Sequence, residues 1–131
     1  MFNIGYLKKA HQLCQKYNAL LICDEVQTGI GRTGKLLCSD HEEVKPDILI
    51  LGKSLSGGFL PVSAILCDNH IMNHIKPGHH GSTYGGNPLA CEVAMKSIQV
   101  TFEEKMIENS QKMGEVLLNH LKNIIGGPHL R

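Results

Sequence analysis

The stretch ALLICDEVQTGIGRTGK, residues 19–35, decides the fold. Its first five residues form a continuous apolar run, as a strand covered on both faces does. Three glycines follow, Gly29, Gly31 and Gly34, at the G-x-G-x-x-G spacing of a dinucleotide-binding turn. That fingerprint needs a tight turn after the strand and then a helix whose N-terminus faces the pyrophosphate. Residues 24–28 separate the run from the first glycine, and only KLLCSDHEEV precedes the turn at KPD. The context fails, so the glycines are read as shaping a loop, and the charged residues ahead of them carry the interest.

Upstream, Tyr6, Leu7, Ala10, Leu13, Cys14 and Tyr17 keep helical spacing, and Tyr17-Asn18 ends that helix. Downstream, ILIL at 48–51 reads as a second buried strand and VSAILC at 62–67 as a third. The link between them is short for a parallel crossover, which predicts an antiparallel pair. One helical turn is expected around Ile71. Asn87 reads as an N-cap with Pro88 at the first helical position. A further amphipathic stretch runs from Met106 through Leu121, with Gly126–Pro128 as its stop. Helix, strand, loop, strand, strand and helix together indicate α/β layering. Strands so few for a sheet covered on both faces suggest an excerpt from a larger α/β protein.

The 131 residues suffice for one modest domain with a core of its own. Thirteen basic residues balance twelve acidic ones, so neither a nucleic-acid footprint nor a polybasic membrane patch is indicated. No apolar run approaches the roughly 18–20 residues that span a bilayer. The start, MFNIGYLKKAHQ, lacks the pattern of a signal peptide. The five cysteines show neither disulfide nor zinc-knuckle spacing. Cys14, Cys23 and Cys67 lie among apolar residues and are expected to be buried free thiols, as in a reducing compartment.

In open α/β sheets, ligands bind at the carboxyl ends of the strands. Asp24 directly follows the first apolar run, and Lys53 follows the second by one glycine. A carboxylate and an amine at adjacent strand ends can face one pocket; a loop Asp and a solvated Lys are the plainer alternative. Gln27 lies three residues past Asp24, and the SGG after Lys53 lets backbone approach a ligand closely. GSTYGGNP, at 81–88, collects hydroxyls and backbone donors suited to an anion such as phosphate. His70 and His74 sit at i, i+4, a spacing that can ligate zinc, but no carboxylate completes an H-E-x-x-H pattern, and no metal is expected.

LLICDEVQTGIGRTGK, PDILILGKSLSGGFLPVSAIL and HGSTYGGNPLAC, in this order, closely resemble the pyridoxal-phosphate-dependent class III aminotransferases. The similarity covers roughly residues 5–125. Within the family, the stretches at 52–58, 61–68 and 71–90 resemble members acting on ornithine more than those acting on acetylornithine or 4-aminobutyrate. The resemblance implies part of the large domain of a fold-type I transferase, with a mixed, mostly parallel sheet and one antiparallel strand. Residues 1–105 would complete that large domain, and 106–131 would begin the small C-terminal domain. It also implies transamination from the δ-amino group of ornithine to a 2-oxo acid such as 2-oxoglutarate.

By the same resemblance, Lys53 would condense with the aldehyde of pyridoxal 5'-phosphate and Asp24 would pair with its pyridine nitrogen. Val26 would pack against the ring, and Gln27 would hydrogen-bond its phenolic oxygen. Ser82 and Thr83 would bind the cofactor phosphate of a neighbouring subunit across a homodimer interface. A carboxylate ~4 Å from the ring nitrogen is worth roughly 4 kcal/mol at an effective dielectric near 20. That could raise the nitrogen's pKa by about 3 units. Members of the family are much longer than this chain, and several of their cofactor and substrate residues have no counterpart here. The expectation is a fragment inactive by itself, or a truncated non-catalytic subunit that pairs with a full-length one. Animal members are mitochondrial, so a mitochondrial matrix location is implied, with the cytoplasm as alternative; the chain carries no targeting signal.

Overall fold

The computed structural model describes residues 4–125. Helix α1, Tyr6–Lys16, forms where the helical apolar spacing predicts it. Its N-cap, Gly5, has no side chain to satisfy the first amides, and a distant carboxylate does so. Glu42 accepts from the Gly5 N–H at 3.1 Å and from the Lys8 N–H at 2.8 Å. This fills orphan donors with a negative charge at the positive end of the helix dipole. The helix ends as expected at Tyr17, and Asn18 turns the chain in the left-handed region at φ 50°.

Strands β1 (Ile22–Asp24), β2 (Ile48–Leu51) and β3 (Ala64–Cys67) form one sheet in the order β1-β2-β3. β1 runs parallel to β2, pairing Ile22 with Ile48 and Asp24 with Ile50. β3 is antiparallel to β2, pairing Ile48 with Cys67 and Leu51 with Ala64, as the short link predicts. Residues 25–47, which join the parallel pair, hold no α-helix but a 3-10 turn at Cys38–Glu42.

Three expectations need correction. The first strand is not 19–23 but Ile22–Asp24, because Leu21 is held ahead of the ladder. Its N–H donates to Asp47 Oδ2 at 2.7 Å, and its carbonyl accepts from Asp47 and Ile48. Nor is the strand covered on both faces: Cys23 is buried, but Ile22 is 55% exposed. The third strand starts at Ala64 rather than Val62, since Ala64 pairs with Leu51, the last residue of β2.

Helix α2, Asn69–Met72, is the single turn expected around Ile71. Helix α3, Pro88–Glu103, starts as the sequence indicates: Asn87 Oδ1 accepts from the amides of Leu89 at 2.9 Å and Ala90 at 3.3 Å. Helix α4, Met106–Ile125, follows and packs on α3. Its expected stop at 126–128 lies outside the described residues.

The core lies between the sheet and α3. Ile30, Leu51, Leu55 and Ala94 are its buried centre, with Leu49, Val62 and Ile98 among the residues packed around them. It is smaller than the chain length allows. Leu13, Leu20, Ile65 and Leu117 remain exposed, and among the described residues β1 and β3 are each paired along one side only.

Candidate functional site

Parallel pairing of β1 and β2 brings their carboxyl ends out on one edge of the sheet. Asp24 is the last residue of β1 rather than the first after it. Beyond it, the Glu25 N–H continues the ladder to the Ile50 carbonyl at 2.9 Å. Two residues past β2, Lys53 opens a second 3-10 turn, Lys53–Ser56, closed by the Leu55 N–H on the Gly52 carbonyl at 3.0 Å. Lys53 has φ 47°, a left-handed conformation that costs a residue other than glycine roughly 1–2 kcal/mol. Such strain is common at binding sites, where the surrounding structure enforces it.

The two strand ends meet through side chains. Lys53 Nζ donates to Gln27 Oε1 at 3.4 Å. Val26 packs over Gly52, where an added Cβ would stand 3.4 Å from Val26 Cγ1. Val26, Gln27 and Lys53 line one open cleft of about 1100 Å³, walled by Phe59 and the Val93 and Ser97 face of α3. Asp24 lines neither this cleft nor a smaller hollow that Lys53 also lines. Its Oδ1 accepts from the Val26 N–H at 3.0 Å, which orients the carboxylate locally; Oδ2 accepts nothing else among the described residues.

Ser82 lines the smaller hollow with Lys53 and Tyr84, and its Oγ accepts from the Gly85 N–H at 2.8 Å. Thr83 is exposed and lines neither space. The structure therefore gathers Val26, Gln27 and Lys53, sets Ser82 in a second hollow that Lys53 also lines, and leaves Asp24 and Thr83 outside both linings. The donor set suits pyridoxal phosphate in kind: an accessible primary amine, an amide beside it, and at the neighbouring strand end a carboxylate with a free oxygen.

Sequence reasoning passed over Glu25, which is 4% exposed and bonded to Cys38 and Ser39. Strand alternation held the signal, since residues 23 and 25 share a face and Cys23 is buried. Burial pushes the thiols of Cys23 and Cys38 up, and the negative Glu25 beside them pushes in the same direction. Of the three cysteines expected to be buried, only Cys23 is; Cys14 and Cys67 are half-buried, because the faces of α1 and β3 that carry them are open.

The glycine loop is no nucleotide turn: a 3-10 turn rather than a packing helix follows it. His70 lies in α2, but His74 lies beyond its end, so the pair shares no helical face. Among the described residues, no group of three His, Cys, Asp or Glu side chains is placed to hold a metal ion. None of their helices is long and apolar enough to cross a membrane.

The family model for aminotransferase class-III matches residues 1–128. The mitochondrial ornithine aminotransferase of Drosophila melanogaster is 63% identical over 120 residues, which cover 92% of this chain and 28% of that protein. A structure of ornithine aminotransferase from Toxoplasma gondii, with partial PLP occupancy at its active site, superposes with TM-score 0.91. It is 51% identical, over 92% of this chain and 28% of its own. Acetylornithine aminotransferase from Elizabethkingia anophelis superposes with TM-score 0.92 at 56% identity, over 95% of this chain and 31% of that one. The chain thus spans less than a third of the length of these relatives.

Proposed function

Because this chain belongs to the class-III aminotransferases, we propose that it supplies the lysine-bearing wall of a pyridoxal-phosphate site that transfers the δ-amino group of ornithine to a 2-oxo acid such as 2-oxoglutarate. The observation that carries the reading is the Lys53 amine at the strand ends, 3.4 Å from Gln27 Oε1 and in one cleft with Val26. When bound, pyridoxal phosphate supplies the electron sink that transamination needs.

The chain's residues then have separate tasks. Lys53 Nζ would hold the cofactor aldehyde and, once released, would take up the proton that leaves the amino-bearing carbon of the substrate. Asp24 Oδ2 holds a proton on the pyridine nitrogen. Val26 offers an apolar surface to the ring, and the Gln27 amide offers a hydrogen bond to the phenolic oxygen. Ser82 and Thr83 serve the cofactor phosphate of a neighbouring subunit in a homodimer. Residues 1–105 belong to the large domain and 106–131 begin the small one. The mitochondrial designation of the Drosophila melanogaster protein supports a matrix location.

An exposed Lys53 on an open cleft keeps water at the reacting amine, so the isolated chain holds cofactor but does not turn over. The test is an absorbance spectrum of the chain with pyridoxal phosphate, followed by borohydride reduction and mapping of the adduct. An adduct on Lys53 supports the reading, and its absence there defeats it. Acetylornithine and 4-aminobutyrate are the alternative donors, and the acetylornithine aminotransferase relation at 56% identity favours testing that donor beside ornithine.

One feature supports a second reading, a non-catalytic subunit paired with a full-length enzyme. Tyr84, directly after Ser82 and Thr83 in the chain, is 83% exposed. Co-elution with a full-length aminotransferase, without activity of the chain alone, would favour it.

A further inference from the structure

Glu25 is a carboxylate in an apolar place, and such groups stay buried when their oxygens are occupied. Its Oε2 accepts from the Cys38 N–H at 2.5 Å, and its Oε1 accepts from both the Ser39 N–H and the Ser39 hydroxyl at 2.8 Å. Cys38 and Ser39 open the first 3-10 turn, so the first two amides of that turn point at the carboxylate. The backbone of Glu25 is tied as well. Its N–H reaches the Ile50 carbonyl, and its own carbonyl accepts from the Gly29 N–H, both at 2.9 Å. Gly29 has no space for a side chain, because a Cβ there would stand 2.8 Å from that carbonyl oxygen. Glu25 therefore pins both ends of the segment 26–37, and the next two residues, Val26 and Gln27, are the ones that share the cleft with Lys53.

We propose that Glu25 is a positioning residue: its buried carboxylate, gripped by Cys38 and Ser39, fixes the end of β1 so that Val26 and Gln27 stay set against Lys53. One arm of its test rests on the proposed cofactor role of Lys53; the other does not. A carboxylate presents acceptors only, whereas the amide of Glu25→Gln must turn an NH2 group toward an N–H donor. Ser39→Ala is milder, since it deletes the hydroxyl bond and leaves both backbone bonds.

The experiment uses the full chain and both variants, with amide hydrogen exchange read by NMR and the borohydride-trapped pyridoxal phosphate adduct mapped by mass spectrometry. In Ser39→Ala, exchange at the Val26 and Gly29 amides should rise about threefold or more, the equivalent of one lost net hydrogen bond. In Glu25→Gln it should rise about tenfold or more, since a charged acceptor is lost. Amides of α3 should keep their rates in Ser39→Ala, and among folded molecules the share of adduct on Lys53 should fall relative to other lysines. Unchanged exchange at residues 26–29 in both variants overturns the proposal. So does equal acceleration in α3, which would make Glu25 a general core residue. If the parent chain forms no Lys53 adduct, the cofactor reading fails while the exchange arm still decides the role of Glu25.

Discussion

Lys53 Nζ stands 3.4 Å from Gln27 Oε1, and that hydrogen bond joins the end of β2 to the loop that leaves β1. The distance is long for an N–H···O bond, whose usual value is about 2.9–3.0 Å, and both residues are exposed. The amine is held in place but easily displaced, which suits the aldehyde-binding role proposed for it.

Lys53→Ala should abolish the cofactor adduct without unfolding the chain, because the Lys53 side chain lies outside the core. Lys53→Gly should also abolish it and be the more stable variant. At φ 47° the left-handed cost of roughly 1–2 kcal/mol falls on alanine and not on glycine. Glycine gives back about 0.4–1 kcal/mol in unfolded-chain entropy, so the net difference should be roughly 0.5–1 kcal/mol. Urea denaturation of the two variants measures it. An alanine variant as stable as the glycine one would mean that the backbone at 53 is unstrained.

Asp24→Asn should still bind pyridoxal phosphate but fail to keep its ring nitrogen protonated. Removing a charge worth roughly 4 kcal/mol at ~4 Å takes away about 3 units of pKa support. The nitrogen-15 shift of ring-labelled cofactor on the chain should report a protonated nitrogen at neutral pH for Asp24 and a neutral one for Asn. In any assembly that turns over, the same change should slow transamination at least about tenfold. Identical shifts would remove Asp24 from the site.

The architecture was legible where local chemistry and pattern agree. Asn87-Pro88 marked the start of α3, the helical spacing from Tyr6 marked α1, and the short link foretold the antiparallel β3. Strand limits were less legible, because they depend on which partner residues are in register; Leu21 is as apolar as Ile22 yet bonds Asp47 ahead of the ladder. Of the candidate site, strand-end logic paired Asp24 with Lys53, which line no common cleft; Gln27, noted for its place three residues past Asp24, is the side chain that meets Lys53. The same logic missed Glu25, since a charged residue beside Asp24 reads as solvated until the loop is seen to fold back with Ser39. Nothing local marked Lys53 as left-handed either.

Gly29→Ala should destabilise the chain by roughly 1–3 kcal/mol, as overpacking does when backbone must move. The added methyl would meet the Glu25 carbonyl at 2.8 Å and Leu51 Cδ2 at 3.1 Å. Gly58→Ala meets nothing within 4 Å and serves as the comparison for a glycine in open space, though its φ of 88° adds backbone strain of its own. Denaturation midpoints of both variants check the steric argument. A Gly29→Ala chain as stable as the parent would mean that the loop is not packed against β1.

Two thiols, the buried Cys23 and the half-buried Cys38, set how the chain responds to alkali. Cys23 and Cys38 have pKa values raised above the ordinary 9.0, first by burial and then by the charge of Glu25. As pH climbs past that ordinary value, the unfolded chain releases these protons before the folded one does. The unfolded state is then favoured, so stability present below about pH 9 should decline as pH rises through the folded values. Denaturation at about pH 7.5 and about pH 9.5 should show the decline in the parent, and a Cys23→Ala, Cys38→Ala double variant should show less of it. The same shifts make these thiols slow nucleophiles, because the thiolate is the reacting form. With iodoacetamide at neutral pH, the exposed Cys91 should be alkylated first and Cys23 last. Early labelling of Cys23 would mean that the end of β1 opens readily, and Val26 and Gln27 would then have no fixed position from which to meet Lys53.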